Sequence, residues 1–296
     1  MIRTIALAVS VAACAGTTDS VLTVPVDPTN SLTSDVIGIA AGGGHTCALN
    51  HDGSIVCWGD DTYGQSTPPD VGPFTTVSAG LDDTCALRGD GTIACWGDDS
   101  FGQIDVAPGQ FKAVSAGRTG QTCAIRLDDT LVCWGGKLYD QPPPPAGTFI
   151  ALSAGGPDAC GLTTASTIEC WGFLPTVAPP DGPFVAISAG GVTNCAVRAT
   201  GDVACWGQDG SGTPPATLFE LVAGGDASQE GCGVAADGSV VCWDFDGTEH
   251  AIGSSFFAVS IGFDGVACGV HDDGSIACWG GYLDDPATSP PPVTRP

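Results

Sequence analysis

An all-β chain closed into a seven-bladed β-propeller is the fold that this sequence predicts, on three observations. The 296 residues include 44 glycines and 22 prolines without a regular third-residue glycine, a turn-rich composition that excludes collagen. Fourteen of the 15 cysteines form seven pairs, each ten positions apart: Cys47 and Cys57, Cys85 and Cys95, Cys123 and Cys133, Cys160 and Cys170, Cys195 and Cys205, Cys232 and Cys242, Cys268 and Cys278. Tryptophan follows every second cysteine, at Trp58, Trp96, Trp134, Trp171, Trp206, Trp243 and Trp279, which uses all seven in the chain. The first cysteines recur every 35 to 38 residues, so a unit of about 37 residues repeats seven times.

Within the unit, Cys47 to Cys57 reads CALNHDGSIVC, with Asp52-Gly53 between two short apolar runs, a hairpin signal. A turn with Gly53 in the left-handed region pairs Asn50 with Ser54, Leu49 with Ile55 and Cys47 with Cys57. The sulfurs then meet across one rung, where opposed Cα atoms lie about 4.5–5.5 Å apart, inside the usual disulfide range. One hairpin disulfide per blade is therefore expected, with buried reduced cysteines as the alternative. The same spacing holds at Gly91, Gly238 and Gly274. Around Asp129, Ala165 and Gly201 the turn residues vary while the separation of ten is kept.

Helical repeats fail because no apolar i, i+3, i+4 pattern runs between the glycines and prolines. Both faces of each hairpin are apolar, as Ala48 and Val56, and Leu49 and Ile55, show; such strands belong between two neighbours. Radial stacking satisfies this without exposed ends, with four-stranded blades over residues 36–285. The last blade's missing strand is expected from Val36 to Gly42.

Residues 1–13 read as a signal peptide: Arg3, then the run Ile5 to Ala13, nine residues and too short to span a bilayer. Val11-Ala12-Ala13-Cys14 looks like a lipobox, making Cys14 a lipidation site at the mature N-terminus; an ordinary signal peptide cut after Ala15 is the alternative. Residues 14–35 form a Thr/Ser/Pro-rich tether, and 286–296 a Pro-rich tail. An exported envelope lipoprotein, otherwise a periplasmic or secreted protein, is the expected location.

The charge of −25, with two lysines and six scattered arginines, leaves no basic stripe for phosphates, so nucleic acid is excluded as a partner. An acidic surface favours a basic partner and salt-sensitive association. Acidic pairs recur at Asp60-Asp61, Asp82-Asp83, Asp98-Asp99, Asp128-Asp129, Asp272-Asp273 and Asp284-Asp285, read as a solvated rim. The spaced Asp-x-Asp-x-Asp-Gly calcium loop is absent, and no metal or cofactor is expected.

The pattern VSAG-x4-CAL-x2-DG-x3-CWG-x4-GQ, nearly whole from Val77 to Gln103, resembles the repeat of the regulator of chromosome condensation family, and the likeness covers residues 36 to about 283. It implies a seven-bladed propeller. The family's eukaryotic member is a guanine-nucleotide exchange factor that binds chromatin. This chain is closer in character to the family's exported bacterial propellers, which include a secreted β-lactamase inhibitor and present a ring face to another protein. A monomeric, non-catalytic protein- or ligand-binding module is the role implied; an enzyme using the tunnel and an exchange-like regulator are the alternatives. The histidines His45, His51, His250 and His271 sit at unrelated repeat positions, and no nucleophile or zinc motif supports catalysis. The tryptophans are expected as wedges between blades. Candidate binding loops are Tyr63 and Gln65, Phe101 and Gln103, and Tyr139 and Gln141, each also readable as packing.

Overall fold

The computed structural model describes residues 32–33, 36–136, 143–156, 158–172, 177–191, 193–207, 214–224, 231–244, 246–262, 265–280 and 293–294. Among these residues every regular element is a strand. Seven antiparallel sheets follow one another along the chain, one per repeat. Their inner strands are Val36–Ala41, Phe74–Ala79, Phe111–Ala116, Phe149–Ala154, Phe184–Ala189, Phe219–Gly224 and Phe256–Ile261. The middle strands are His45–Asn50, Asp83–Arg88, Gln121–Arg126, Asp158–Thr163, Thr193–Arg198, Gly231–Ala235 and Val266–His271. The outer strands are Ile55–Gly59, Ile93–Gly97, Leu131–Gly135, Ile168–Gly172, Val203–Gly207, Val240–Trp243 and Ile276–Gly280.

The predicted hairpin register holds in every blade. Cys47 opposes Cys57, Cys85 opposes Cys95, Cys123 opposes Cys133 and Cys160 opposes Cys170. Cys195 opposes Cys205, Cys232 opposes Cys242 and Cys268 opposes Cys278. Asn50 N–H donates to Ser54 O at 2.9 Å, and the turn residue is left-handed at Gly53, Gly91, Asp129, Ser166, Gly201, Gly238 and Gly274. All seven disulfides are formed, with Cα atoms 3.9–4.1 Å apart. The expected spacing of 4.5–5.5 Å is thereby corrected downward: each pair occupies the narrow rung that lacks ladder hydrogen bonds. The two cysteines of a pair also differ in cover. The first, on the middle strand, is fully buried in every blade. The second, on the outer strand, is buried at Cys57, Cys205 and Cys242 but only half-buried at Cys95, Cys133, Cys170 and Cys278.

Two expectations about the strands are corrected. Only blade 6 has a fourth strand among the described residues, Glu249–Gly253. In blade 1 the corresponding stretch passes through Pro68, Pro69 and Pro73, which lack the N–H that a ladder needs. Val36–Ala41 is the inner strand of blade 1, pairing with His45–Asn50, and the last blade is built from its own residues. The ring closes instead by packing: Val36, Ile39, Ala48 and Trp58 of blade 1 form one buried cluster with Ala258, Val266, Cys268 and Val270 of blade 7. The six other seams have equivalent clusters. Separately, Leu32–Thr33 pairs in parallel with Val293–Thr294, joining segments from the two ends of the chain. Cys14 and most of the tether and tail lie outside the described residues.

Successive blades are also tied by hydrogen bonds. The left-handed turn residue accepts the N–H that opens the next inner strand, as in Phe74 to Gly53 O and Phe149 to Asp129 O, at 2.8 and 2.9 Å. At the opposite end, the serine of the VSAG segment accepts the next blade's backbone N–H: Ala116 to Ser78, Ala154 to Ser115, Ala189 to Ser153, Gly224 to Ser188 and Ala41 to Ser260, at 2.9–3.1 Å. Ala40 and Ala223 occupy this position in blades 1 and 6. Ser153→Ala strands a buried N–H and is expected to destabilise by about 1–3 kcal/mol. A denaturant midpoint equal to wild type would remove the serines from this role.

Candidate functional site

Each blade presents two ends. The hairpin turns and the starts of the inner strands share one side of the ring; the loops joining inner to middle strand, and the ends of the outer strands, share the other. Asp60 N–H donates to Gly44 O and Asp98 N–H to Asp82 O, at 2.7 and 2.8 Å, so both sets of loops on this second side are bound together.

The candidate binding loops lie here and are built as clamps. Gln65 Oε1 accepts Tyr63 N–H, and its Nε2 donates to Asp60 Oδ2, both at 2.8 Å. Its carbonyl then accepts the Trp96 indole N–H at 2.8 Å and the Thr84 hydroxyl at 3.0 Å, from the next blade. Gln103 repeats this with Phe101, Asp98, Trp134 and Thr122. Gln65 and Gln103 are buried, which makes them packing groups, whereas Tyr63 is 55% exposed on a loop pinned at both ends. Tyr139 and Gln141 lie outside the described residues. Most tryptophans are buried wedges, as expected; Trp134 and Trp279 are partly exposed.

Two residues before the first cysteine, the repeats carry a set of polar groups that no short motif marks. His45, Asp83, Gln121, Asp158 and Thr193 occupy this position in blades 1 to 5. The His45 Nε2 lies 2.8 Å from Thr84 Oγ1 of blade 2, and Asn194 Nδ2 of blade 5 donates to Asp158 Oδ2 at 2.9 Å. Burial lowers the His45 pKa to about 4, against the pull of Asp60 and Asp61. Burial likewise raises Asp158. Asp83 has no such partner: it is buried, neither carboxyl oxygen is hydrogen-bonded among the described residues, and burial, then Asp82 and Asp98, push its pKa up to about 8. The rim reading is thus corrected for Asp83. As the first residue of the middle strand it opposes Gly97 and is covered, while Asp82 stays in the loop.

The two sides also differ in charge. On the hairpin side, Lys112 pairs with Asp129, and Arg198 with Asp202 at 2.6 Å. Arg88, Arg126 and Arg198 lie over Phe74, Phe111 and Phe184, 5.3–5.4 Å from the ring centroids. Residues 36–110 contain ten aspartates and, among lysines and arginines, only Arg88, at the hairpin end. On the loop side of blades 1 and 2, burial, then Asp60 and Asp98, raise the pKa of Asp82. Among the described residues no three His, Cys, Asp or Glu side chains converge as metal ligands.

The regulator of chromosome condensation (RCC1) repeat matches residues 36–65 and 74–103. No curated protein matches the chain significantly in sequence. Among solved structures, the CRINKLY WD40 ectodomain of the Arabidopsis thaliana receptor kinase ACR4 is similar with a TM-score of 0.69 and 26% identity, over 83% of this chain and 97% of that one. The ectodomain of the Physcomitrella patens receptor kinase CR4 gives 0.59 and 23%, over 76% of this chain; the match spans only 63% of its own length. Prp20p of Saccharomyces cerevisiae, whose binding to Gsp1p and histones was studied with its structure, gives 0.63 and 14%, over 85% and 84%. The first two repeats of the chain thus match the RCC1 repeat, and the ring has an RCC1-like propeller fold.

Proposed function

We propose that this protein is an exported, lipid-anchored propeller of a bacterial envelope, held at Cys14, and that it works as a non-catalytic protein-binding module. The observation that carries the reading is the set of seven disulfides, one in every blade, which belongs to an oxidising compartment. The similarity to two receptor ectodomains agrees with display outside the cell. A binding role is supported by the bonded, stapled ring and by the exposed Tyr63 on a clamped loop, since tyrosine is a frequent anchor at protein interfaces. Two of the buried titratable groups are taken up in packing rather than offered to a substrate: His45 and Asp158 each engage the neighbouring blade.

Cross-linking on intact cells followed by purification tests the role. A stoichiometric protein partner, lost at raised salt, is expected; turnover of a small substrate by the purified ring without any such partner would contradict it.

A further inference from the structure

Thiol–disulfide exchange begins when a thiolate reaches one sulfur of a bridge from the side away from the bond that breaks, so access to each sulfur decides where a bridge can be opened. In this ring every bridge runs from the middle strand to the outer strand, and its two sulfurs differ in approach. The middle-strand cysteines are fully buried and have the inner strand behind them, as Ser78 opposes Cys85. The outer-strand cysteines have the rim of the ring behind them, and Cys95, Cys133, Cys170 and Cys278 keep part of their surface in solvent.

Blade 6 supplies the contrast within the same molecule. There the fourth strand, Glu249–Gly253, lies beyond the outer strand, His250 opposes Cys242, and Cys242 is buried. Blade 2 has no such strand: residues 74–116 are all described, and its sheet ends at Ile93–Gly97. In blades 3 and 7 every residue of the outer strand keeps some exposure, Cys133 and Cys278 included. Hairpin register is the same in blades 2 and 6, so it is cover at the rim that sets their bridges apart.

We propose that Cys95, Cys133, Cys170 and Cys278 are sites of thiol–disulfide exchange, at which an external dithiol opens four of the seven bridges while the Cys232–Cys242 bridge stays closed to it. One thiolate of the dithiol attacks the outer sulfur, as at Cys95. The bond to Cys85 breaks, and its electron pair leaves on the Cys85 sulfur, which takes up a proton that the dithiol has released. The second thiolate then displaces Cys95 from the mixed disulfide. The dithiol ends as a disulfide, both cysteines end as thiols, and two electrons have passed to the blade. A monothiol is poorly suited to these sites, because Cys85, its Cα 4.1 Å from that of Cys95, stands ready to expel it and restore the bridge. This chemistry holds whether or not the ring binds a partner protein.

The test treats the oxidised full chain with dithiothreitol in the absence of denaturant, quenches samples with iodoacetamide at intervals and locates the alkylated cysteines by peptide mass. The bridges of blades 2, 3, 4 and 7 are expected to open about tenfold faster than Cys232–Cys242, in line with control by access. Opening of all seven at one rate, as global unfolding would give, or of Cys232–Cys242 among the first, would overturn the assignment. A pair of variants then reads which sulfur is attacked: Cys85→Ala leaves the Cys95 thiol, and Cys95→Ala leaves the Cys85 thiol. In variants whose circular dichroism matches wild type, Cys95 is expected to be alkylated about tenfold faster than Cys85. Equal rates would overturn the outer sulfur as the point of entry. If either variant fails to fold, the wild-type time course decides alone.

Discussion

Asp83→Asn is expected to abolish most of the loss of stability that the wild-type protein shows as pH rises from about 4 to 8. In the unfolded chain this carboxyl ionises near 3.8; in the folded protein it holds its proton up to about 8. Between those values the folded state carries a proton that the unfolded state has released. Stability therefore falls as pH rises through that window and is level above it. Each tenfold difference in proton affinity corresponds to about 1.4 kcal/mol, so the whole window amounts to about 6 kcal/mol, of which about 4 kcal/mol falls above pH 5. Asp158, also raised by burial, contributes in the same direction. His45 acts oppositely: its folded pKa of about 4 against 6.5 means that stability is lost as pH falls from about 6.5 toward 4. That acid limb belongs to wild type and variant alike, so the difference between them isolates Asp83. Urea midpoints at pH 5, 7 and 9 read it out; parallel pH profiles would show that Asp83 ionises freely.

Phe149→Ala is expected to cost about 3–5 kcal/mol, whereas Ile150→Ala next to it changes stability by less than about 0.5 kcal/mol. Phe149 is fully buried in the cluster joining blades 3 and 4, with Ile125, Leu152 and Trp171. Its ring also lies against Gly161, where a Cβ would come within 2.6 Å of it. Ile150 follows on the same strand with its side chain in solvent, 51% exposed. The contrast between adjacent residues separates loss of packing from any general effect of altering the strand. Equal denaturant midpoints for the two variants would mean that the seam is not held by this ring.

The features legible in the sequence are those enforced inside one repeat. Ten residues between cysteines, with a left-handed turn residue between them, leave a single hairpin register, and even Asp129 and Ser166 take up the left-handed turn that glycine fills elsewhere. Features that depend on contact between repeats are less legible. Asp82 and Asp83 are chemically identical neighbours, and only the strand boundary decides which is covered. In the same way, the spacing of ten pairs Cys95, Cys133, Cys170 and Cys278 with their partners but does not reveal that these outer-strand cysteines are less covered than Cys57, Cys205 and Cys242. The Gln65 and Gln103 loops suit binding or packing equally in sequence; what decides for packing is that their carbonyls receive the next blade's indole and hydroxyl groups. Ring closure by a borrowed strand is a natural expectation, because sheet pairing joins chain ends readily. Here apolar packing, with the Ala41 to Ser260 bond, joins blade 1 to blade 7. Alignment of the repeats one position at a time reveals the polar column from His45 to Thr193, although not which member lacks a partner.

The proposed function puts an oxidised, stapled ring on a lipid-anchored N-terminus outside the cytoplasm. The intact mass of the protein from its own cells, before and after reduction, tests it most directly. Reduction is expected to add fourteen hydrogens, two for each of the seven disulfides, to a chain that begins at an acylated Cys14. A mass unchanged by reduction, on a chain that still begins at Met1, would contradict both the compartment and the anchor.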